Sequence, residues 1–309
     1  MHIQSKPIYK TEFGALFCAD GLEFMRQLPD DSIDLVVTSP PYALHFKKEY
    51  GNASQQDYID WFVPFASEIK RLIKPSGSFV LNIGGSWQPG LPVRSLYHYR
   101  VLLALVDKIG YDLAQEFFWF NPAKMPAPAE WVNVRRIRVK DSVEYIFWLV
   151  KDPMAQADNR KVLQPYSDDM KRLIKRGVKQ TIRPSGHVVT EAFAKDRGGS
   201  IPSNLIQCGN NESNSTYVKN SRIAGKKVHP ARFPAELPRF FIEFLTNPGD
   251  LVLDPFAGSN TTGYVAEGLK RRWLGVELRA DYAEESQLRF DGLPEEVAIQ
   301  QAQQTLPFQ

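Results

Sequence analysis

One segment of the sequence places a hydroxyl, two prolines and an aromatic ring directly after an apolar run. The segment is Thr38-Ser39-Pro40-Pro41-Tyr42, and the run is Ile33–Val37. Consecutive prolines make the backbone rigid and remove two N–H donors, so nearby carbonyls can face a ligand. The Ser39 hydroxyl and the Pro40 carbonyl are therefore candidate acceptors beside the ring of Tyr42. This arrangement suits a planar base that carries an amino group, and a tight turn that only ends a strand is the alternative.

A second segment is rich in small residues and lies between an apolar run and a helical pattern. It reads Asp254-Pro255-Phe256-Ala257-Gly258-Ser259-Asn260-Thr261-Thr262-Gly263. Small residues let the backbone approach a ligand closely at the amino terminus of a helix. The spacing matches neither a phosphate loop nor the glycine motif of dinucleotide-binding enzymes. Glu277 ends the next apolar run, about 20 residues downstream, where acidic residues of nucleotide-binding α/β folds accept from ribose hydroxyls; a solvated strand end is the alternative.

The elements that must position these segments alternate between strands and helices. Apolar runs rich in β-branched and aromatic residues predict strands at Ala15–Ala19, Ile33–Thr38, Ser78–Ile83, Glu116–Phe120, Val143–Val150, Leu251–Asp254 and Trp273–Glu277. Helical patterns occur at Tyr58–Ile73, Ser95–Ile109, Ala235–Leu245 and Ser259–Leu269. This order predicts an α/β fold, with a mostly parallel twisted sheet covered by helices on both faces. Ligands bind at the carboxyl ends of strands in such sheets, which is where both segments fall.

The composition is that of an ordinary globular protein. The chain has 309 residues, of which 43% are hydrophobic, enough to bury one large core. No apolar run approaches the roughly 20 residues of a membrane-spanning helix, and the amino terminus is too polar for a secretory signal, so we expect a cytoplasmic protein. The two cysteines and five histidines lack the spacing of a disulfide framework or a zinc site, so no metal is expected.

The positive charge of the chain is concentrated in one region. The net charge is +3. Residues 158–197 contain ten Lys and Arg against five Asp and Glu, which makes this stretch +5 and the remainder −2. From residue 152 to about residue 220 the alternation of strands and helices stops, and Gly, Ser, Asn, Pro and charged residues dominate. We interpret this region as a separate loop-rich lobe with a basic surface, and a solvated loop region is the alternative.

In these motifs the chain resembles the amino-methyltransferases of restriction-modification systems, and among them the PvuII-type cytosine-N4 methylases. In that family S-P-P-Y is the catalytic motif, and D-P-F-A-G-S is similar to the F-x-G-x-G cofactor motif, although Asn260 replaces its second glycine. The catalytic motif precedes the cofactor motif with a basic lobe between them, as in the family's β group. The resemblance implies a Rossmann-like S-adenosylmethionine-dependent fold with three parts: a catalytic part at 1–151, a target-recognition lobe at 152–220 and a cofactor-binding part at 221–309.

The resemblance also implies roles for individual residues. His229–Pro234 is similar to a segment that holds the methionine part of the cofactor, and Asp20, after the first predicted strand, would lie near its adenine. The implied cofactor-binding residues are Asp20, Arg232, Phe233, Asp254, Phe256, Gly258, Ser259, Asn260 and Glu277. The implied catalytic residues are Ser39, Pro40, Pro41 and Tyr42.

The implied reaction is methyl transfer to N4 of a cytosine that is flipped out of double-stranded DNA. Ser39 and the Pro40 carbonyl would accept the amino hydrogens and stabilise the developing positive charge, while Tyr42 stacks on the ring. Neither Cys18 nor Cys208 follows a proline, as the nucleophile of ring-carbon methylases does, so no covalent intermediate is expected. Adenine-N6 methylation is the nearest alternative, although adenine enzymes mainly carry Asp or Asn where Ser39 stands. An RNA methyltransferase and a DNA-binding protein without turnover are further alternatives.

Lys and Arg side chains in three regions are expected to hold DNA phosphates or to read base edges: residues 43–55, residues 135–138 and the basic lobe. The segment Ala43–Gln55 is a candidate loop for closing over DNA, with an ordinary surface loop as the alternative. The candidates in all three regions are Lys47, Lys48, Arg135, Arg136, Arg138, Lys171, Arg172, Lys175 and Arg176. The resemblance further implies a cognate restriction endonuclease that shares the target site.

Overall fold

The computed structural model describes residues 6–43, 53–177, 181–182, 188–210, 215–226, 228 and 234–290. The strands of this part are β1 (Tyr9–Lys10), β2 (Gly14–Cys18), β3 (Ile33–Thr38), β4 (Ile73–Ile83), β5 (Ser86–Trp87), β6 (Arg94–Ser95), β7 (Asp112–Phe120), β8 (Val143–Val150), β9 (Thr181–Ile182), β10 (Val188–Val189), β11 (Leu205–Gln207), β12 (Leu251–Asp254) and β13 (Arg272–Glu277). Its α-helices are α1 (Gly21–Met25), α2 (Tyr58–Leu72), α3 (Tyr97–Leu103), α4 (Asp168–Arg176), α5 (Thr216–Ile223), α6 (Glu236–Leu245), α7 (Thr261–Gly268) and α8 (Ala280–Ser286). None of these helices is long and apolar enough to cross a membrane.

Nine strands form one sheet in the order β1-β2-β13-β12-β3-β4-β8-β7-β11. The five consecutive strands from β2 to β4 are parallel. On one side β8 and β7 continue the sheet antiparallel, followed by β11, which is parallel to β7. The mostly parallel α/β sheet expected from the sequence is confirmed.

Helices pack on both faces of this sheet because alternate side chains of a strand point to opposite faces. On one face Phe79 and Leu81 of β4 join a buried cluster with Tyr58 of α2. On the other face Trp148 of β8 lies with its ring centroid 5.2 Å from that of Phe244 in α6. Helices α6 and α7 contact each other, and α7 also contacts β12 and β13.

Several predicted elements have shifted ends. The helix predicted from Ser95 ends as an α-helix at Leu103 and continues as a π-helical turn over Ala104–Lys108. The helix predicted from Ser259 begins two residues later, at Thr261. Asn260 delays its start because its backbone is left-handed, with φ of 54°, and its side chain caps the helix by accepting from the Gly263 N–H at 3.1 Å.

The chain divides into two compact units. One comprises residues 1–156 and 204–309, and the other is Ala157–Ser203. The smaller unit contains α4, the β9–β10 pair and an antiparallel bridge between Gln164 and Ser200. It lies within the lobe expected at 152–220 but is shorter, because β11 pairs with β7 in the main sheet. Helix α5 also belongs to the larger unit.

Candidate active site

The two segments singled out by the sequence start side by side at one edge of the sheet. Strand β3 pairs with β12 in parallel, so the Ser39 turn and the loop that begins at Asp254 both leave from carboxyl ends. The Thr38 hydroxyl donates to Asp254 Oδ1 over 2.6 Å. This hydrogen bond joins the turn to the loop at their bases.

Asp254 holds the loop in shape through buried hydrogen bonds. The residue is 2% exposed, and its Oδ2 accepts from the Thr262 hydroxyl at 2.7 Å. Its Oδ1 also accepts from the Phe256 backbone N–H at 3.1 Å. Burial raises the pKa of Asp254, and these three hydrogen bonds oppose part of that shift. Both carboxylate oxygens are thus held by donors of the protein itself, which fixes the shape of the loop.

Glu277 lies against the glycine of the loop. Its Oε2 accepts from the Gly258 N–H and its Oε1 from the Arg279 N–H, both at 2.9 Å. Gly258 has a positive φ of 52°, which glycine adopts without strain. Burial raises the pKa of Glu277, and the two backbone N–H groups lower it in part. Each oxygen keeps a further lone pair, so the carboxylate can still accept from hydroxyl groups.

Asp20 and Gly21 bring a third strand end to the loop. Asp20 caps α1 by accepting from the backbone N–H groups of Leu22 and Glu23 at 2.9 and 3.1 Å. A Cβ atom added to Gly21 would lie 2.7 Å from the carbonyl oxygen of Pro255. The close approach of these two backbones therefore requires glycine at position 21, a requirement that sequence reasoning missed.

The next residues of the loop face the protein interior. Ser259 is 3% exposed; its carbonyl accepts from Arg289 Nε at 2.8 Å and its hydroxyl from Arg289 Nη2 at 2.9 Å. Asn260 donates from Nδ2 to the Tyr9 hydroxyl at 2.9 Å. Phe256 packs on Phe65, with ring centroids 4.9 Å apart. These contacts hold Phe256, Ser259 and Asn260 against the body of the protein, on either side of Gly258.

The Ser39 turn is the centre of a hydrogen-bond network. The Ser39 hydroxyl donates to the Tyr42 hydroxyl at 3.2 Å, and Tyr42 donates to Glu144 Oε2 at 2.6 Å. Asn82 Nδ2 donates to the hydroxyls of Ser39 at 3.2 Å and Tyr42 at 2.8 Å. Lys124 completes the network by pairing with Glu144 Oε1 at 3.2 Å.

These bonds leave one acceptor position at Ser39. A serine oxygen carries one proton and two lone pairs. The proton goes to Tyr42 and one lone pair accepts from Asn82, so one lone pair remains. The Tyr42 oxygen is saturated, since it donates to Glu144 and accepts from Ser39 and Asn82. Among the contacts of the described residues, the network thus orients Ser39 as a single acceptor.

The ring of Tyr42 is fixed as well as its hydroxyl. A Cβ atom added to Gly84, just after β4, would lie 2.4 Å from Cε2 of this ring. Burial, and then the charge of Glu144, raise the pKa of Tyr42 well above its usual value, so the phenol stays protonated. Sequence reasoning missed Asn82 and Glu144, although each is a polar residue inside an apolar strand, and that interruption is the signal that could have found them.

Three arginines that we expect to contact DNA, Arg135, Arg136 and Arg138, lie on the connection between β7 and β8. They are exposed at the same edge of the sheet. This connection starts and ends there because β8 runs antiparallel to β4 and β7 antiparallel to β8. Arg135 is 61% exposed, pairs with Glu130 at 2.7 Å and lies over the ring of Trp131. Arg138 Nε donates to the Pro92 carbonyl at 3.0 Å, and Arg136 has a left-handed backbone with φ of 55°.

The basic residues expected on the smaller unit lie on α4. Ser167 caps this helix, and acidic residues occupy its first turn. Lys171 pairs with Asp168 at 3.0 Å and Arg172 with Asp169 at 2.7 Å. Lys175 and Arg176 are in the last turn, which favours cations.

Four of the expected site residues lie outside the described residues. They are Lys47, Lys48, Arg232 and Phe233. The described part of the chain thus brings together Asp20, Asp254, Phe256, Gly258 and Glu277 with Ser39 and Tyr42 at one edge of the larger unit. Pro40 is buried and Pro41 partly exposed in the same turn.

The sequence matches known proteins over nearly its whole length. A profile of the family described as DNA methylase matches residues 33–288. M.PvuII of Proteus hauseri, named a type II methyltransferase, is 50% identical over 293 residues, which cover 94% of this chain and 87% of M.PvuII. M.ScaI of Streptomyces caespitosus, also named a type II methyltransferase, is 30% identical over 90% of this chain and 81% of its own.

The structure matches solved structures as well. The PvuII DNA methyltransferase, described as cytosine-N4-specific, superposes with a TM-score of 0.78 at 43% identity, covering 97% of this chain and 94% of that one. The M1.HpyAVI–SAM complex superposes with a TM-score of 0.54 at 19% identity, covering 90% and 100% of the two chains. The second similarity concerns the fold alone.

Proposed function

The chain belongs to the DNA methylase family, and from that premise we propose that it transfers the methyl group of S-adenosylmethionine to N4 of a cytosine flipped out of double-stranded DNA. The observation that carries the proposal is the single acceptor position of Ser39, which stands beside the cofactor loop through the bond between Thr38 and Asp254. An exocyclic amino group is the donor that such a position suits.

The loop at the sheet edge fits the cofactor. Gly21 lets the Asp20 turn approach the backbone of Pro255, and Gly258 adopts the positive φ of 52° that the loop requires. The Glu277 carboxylate retains lone pairs for ribose hydroxyls. We assign Asp20, Phe256, Gly258 and Glu277 to cofactor binding. Asp254, Ser259 and Asn260 support the loop, and Arg232 and Phe233 are assigned by resemblance. S-adenosylmethionine supplies an electrophilic methyl group on a sulfonium.

The residues of the turn act on the amino group. Cytosine N4 is a weak nucleophile because its lone pair is delocalised into the ring. Ser39 and the Pro40 carbonyl, by accepting its two hydrogens, favour a pyramidal nitrogen and stabilise the positive charge that develops during attack. Tyr42 stacks on the flipped ring, and the rigid turn of Pro40 and Pro41 holds the acceptors in position.

DNA is held by basic side chains near this edge and on the smaller unit. We assign Arg135, Arg136 and Arg138 to one group of contacts, and Lys171, Arg172, Lys175 and Arg176 to the other. Lys47 and Lys48 are assigned from the sequence. A cognate restriction endonuclease with the same target sequence is the counterpart that we propose, because the curated relatives are named type II methyltransferases.

Mass spectrometry of nucleosides tests the proposal. DNA is isolated from cells that express the wild type, a Ser39→Ala variant or a Ser76→Ala control, Ser76 being exposed at the start of β4. We expect N4-methylcytosine with the wild type and the control, and a loss of at least about 10²-fold with Ser39→Ala, the effect of removing one preorganised hydrogen-bonding group. N6-methyladenine without N4-methylcytosine would contradict the cytosine assignment, and undiminished methylation by Ser39→Ala would contradict the role of Ser39.

A further inference from the structure

A chain of three hydrogen-bonding groups leads away from the acceptor position of Ser39. Its members are the hydroxyls of Ser39 and Tyr42 and the carboxylate of Glu144. We propose that Glu144 receives the proton that the amino nitrogen must lose, and that Ser39 and Tyr42 pass this proton on. The inference rests on the proposed function, since it supplies the proton acceptor for that reaction.

The hydrogen bonds already point in the direction of transfer. Ser39 donates to Tyr42, and Tyr42 donates to Glu144. When the N4–H bond breaks, its electron pair stays on nitrogen and the proton bonds to the remaining lone pair of Ser39. The original Ser39 proton moves to the Tyr42 oxygen, and the Tyr42 proton moves to Glu144 Oε2. N4 has then lost one proton, Glu144 has gained one, and both hydroxyls are neutral again.

Tyr42 is suited to this step because it need not ionise. Burial is the main cause that raises the pKa of Tyr42 well above its usual value, and the charge of Glu144 adds to it. A phenolate is therefore disfavoured, and a phenol that receives one proton as it releases another avoids that state. The short 2.6 Å bond to the carboxylate is typical of an O–H donor facing a charged acceptor.

Asn82 orients the hydrogen bonds between Ser39, Tyr42 and Glu144 but does not itself carry the proton. Its amide nitrogen donates to both hydroxyl oxygens, so neither hydroxyl can send its proton toward Asn82. Three other carboxylates at this edge accept from other donors: Asp20 from two backbone N–H groups of α1, Asp254 from Thr38, Thr262 and Phe256, and Glu277 from two backbone N–H groups. Within the described part of the protein, Glu144 is the carboxylate that hydrogen bonds connect to Ser39, through Tyr42.

Glu144 is partly exposed to solvent. Its side chain is 16% exposed, and that of its partner Lys124 is 31% exposed. The ammonium of Lys124 balances the carboxylate charge on the Oε1 side, and Oε2 faces Tyr42. Because the side chain is not fully buried, a proton taken up by Glu144 can exchange with water between turnovers.

A Glu144→Gln variant tests the proposal because glutamine can accept the Tyr42 hydrogen bond but does not take its proton. Single-turnover methylation of unmethylated plasmid DNA is followed with labelled S-adenosylmethionine, and the affinities for cofactor and DNA are measured separately. We expect a rate lower by about 10²-fold, at the lower end of the effects of general acid–base groups, with both affinities unchanged. Glu116→Gln, an exposed glutamate on the neighbouring strand β7, is the matched control and should keep the wild-type rate.

Tyr42→Phe removes the middle hydroxyl of the proposed proton relay and gives an independent test. If the two residues act in series, Tyr42→Phe with Glu144→Gln should lose no more than the larger single loss. Losses that multiply would overturn the relay, as would a wild-type rate in Glu144→Gln. If Glu144→Gln does not fold, a wild-type rate in Tyr42→Phe overturns it. Wild-type enzyme that forms no N4-methylcytosine would instead refute the proposed function, so the two failures are distinguishable.

Discussion

Thr38 and Asp254, 216 positions apart in the chain, are joined by a hydrogen bond of 2.6 Å between the Thr38 hydroxyl and Asp254 Oδ1. Each residue is the last of its strand, and the two strands are parallel neighbours. The turn with the proposed acceptors and the loop with the proposed cofactor contacts therefore share one buried anchor. Their relative position depends on this anchor more than on either segment alone.

Replacing Thr38 by valine should loosen that anchor. The variant keeps the shape of the side chain but leaves Asp254 Oδ1 with only the Phe256 N–H as a donor. Removing one partner of a buried polar group lowers the free energy of unfolding by about 1–3 kcal/mol. Denaturant unfolding and titration with S-adenosylmethionine measure stability and cofactor affinity, and both should fall. Thr190→Val, at an exposed threonine whose side chain caps no helix, is the control; equal losses in both variants would refute the anchor.

Gly21→Ala should displace the backbone at the proposed cofactor site. The new Cβ atom would lie 2.7 Å from the Pro255 carbonyl oxygen, so α1 or the loop must move. We expect a loss of about 1–3 kcal/mol in stability, as for overpacked sites, and weaker binding of S-adenosylmethionine. Gly268→Ala in α7 is the matched control, because its Cβ meets nothing within 4 Å. That variant should be about 0.4–1 kcal/mol more stable, and cofactor affinity that falls equally in both would contradict the expectation.

Glu277→Gln should change how stability depends on pH. Burial raises the folded-state pKa of Glu277 above its ordinary 4.5. The stability contributed by the protonated carboxyl is therefore fully present below pH 4.5 and is lost as pH rises through the raised folded value. Glutamine cannot ionise, so the free energy of unfolding of the variant should rise relative to that of the wild type between pH 4.5 and neutrality. This trend is expected whichever of the two proteins is more stable at a given pH. Unfolding curves without cofactor measure this trend, and a difference that is constant with pH, as expected for the exposed control Glu116→Gln, would argue against it.

Arg136→Gln and Arg138→Gln should weaken DNA binding in a salt-dependent way. If each arginine contacts one phosphate, the slope of log affinity against log salt concentration should become shallower by about 0.9 per residue. Fluorescence anisotropy with a labelled duplex at several salt concentrations gives the slopes. Lys108→Gln is the control, since this exposed lysine precedes β7 at the opposite edge of the sheet. If the slopes of both arginine variants equal the wild-type slope, these arginines do not contact DNA phosphates.

The two chemical motifs could be predicted because they are local. Proline rigidity after an apolar run predicts a turn with exposed acceptors at Ser39, and small residues before a helical pattern predict a ligand loop at Asp254–Gly258. The structural role of Asn260 was harder to predict. The family pattern has glycine there; the left-handed backbone at φ 54° explains that preference, but only the structure shows the side chain capping α7 and donating to Tyr9.

The amino-acid sequence by itself determined the class of fold, the mostly parallel sheet and the two loops at its edge, because periodicity and turn chemistry act over a few residues. Tertiary structure alone decided which distant side chains surround Ser39. Asn82 lies 43 positions from Ser39, and Glu144 lies 102 positions from Tyr42. Strand order in the sheet, and not any local pattern, brings these groups within hydrogen-bonding distance. Among the described contacts it leaves the Ser39 oxygen with one lone pair, which we propose accepts from the base.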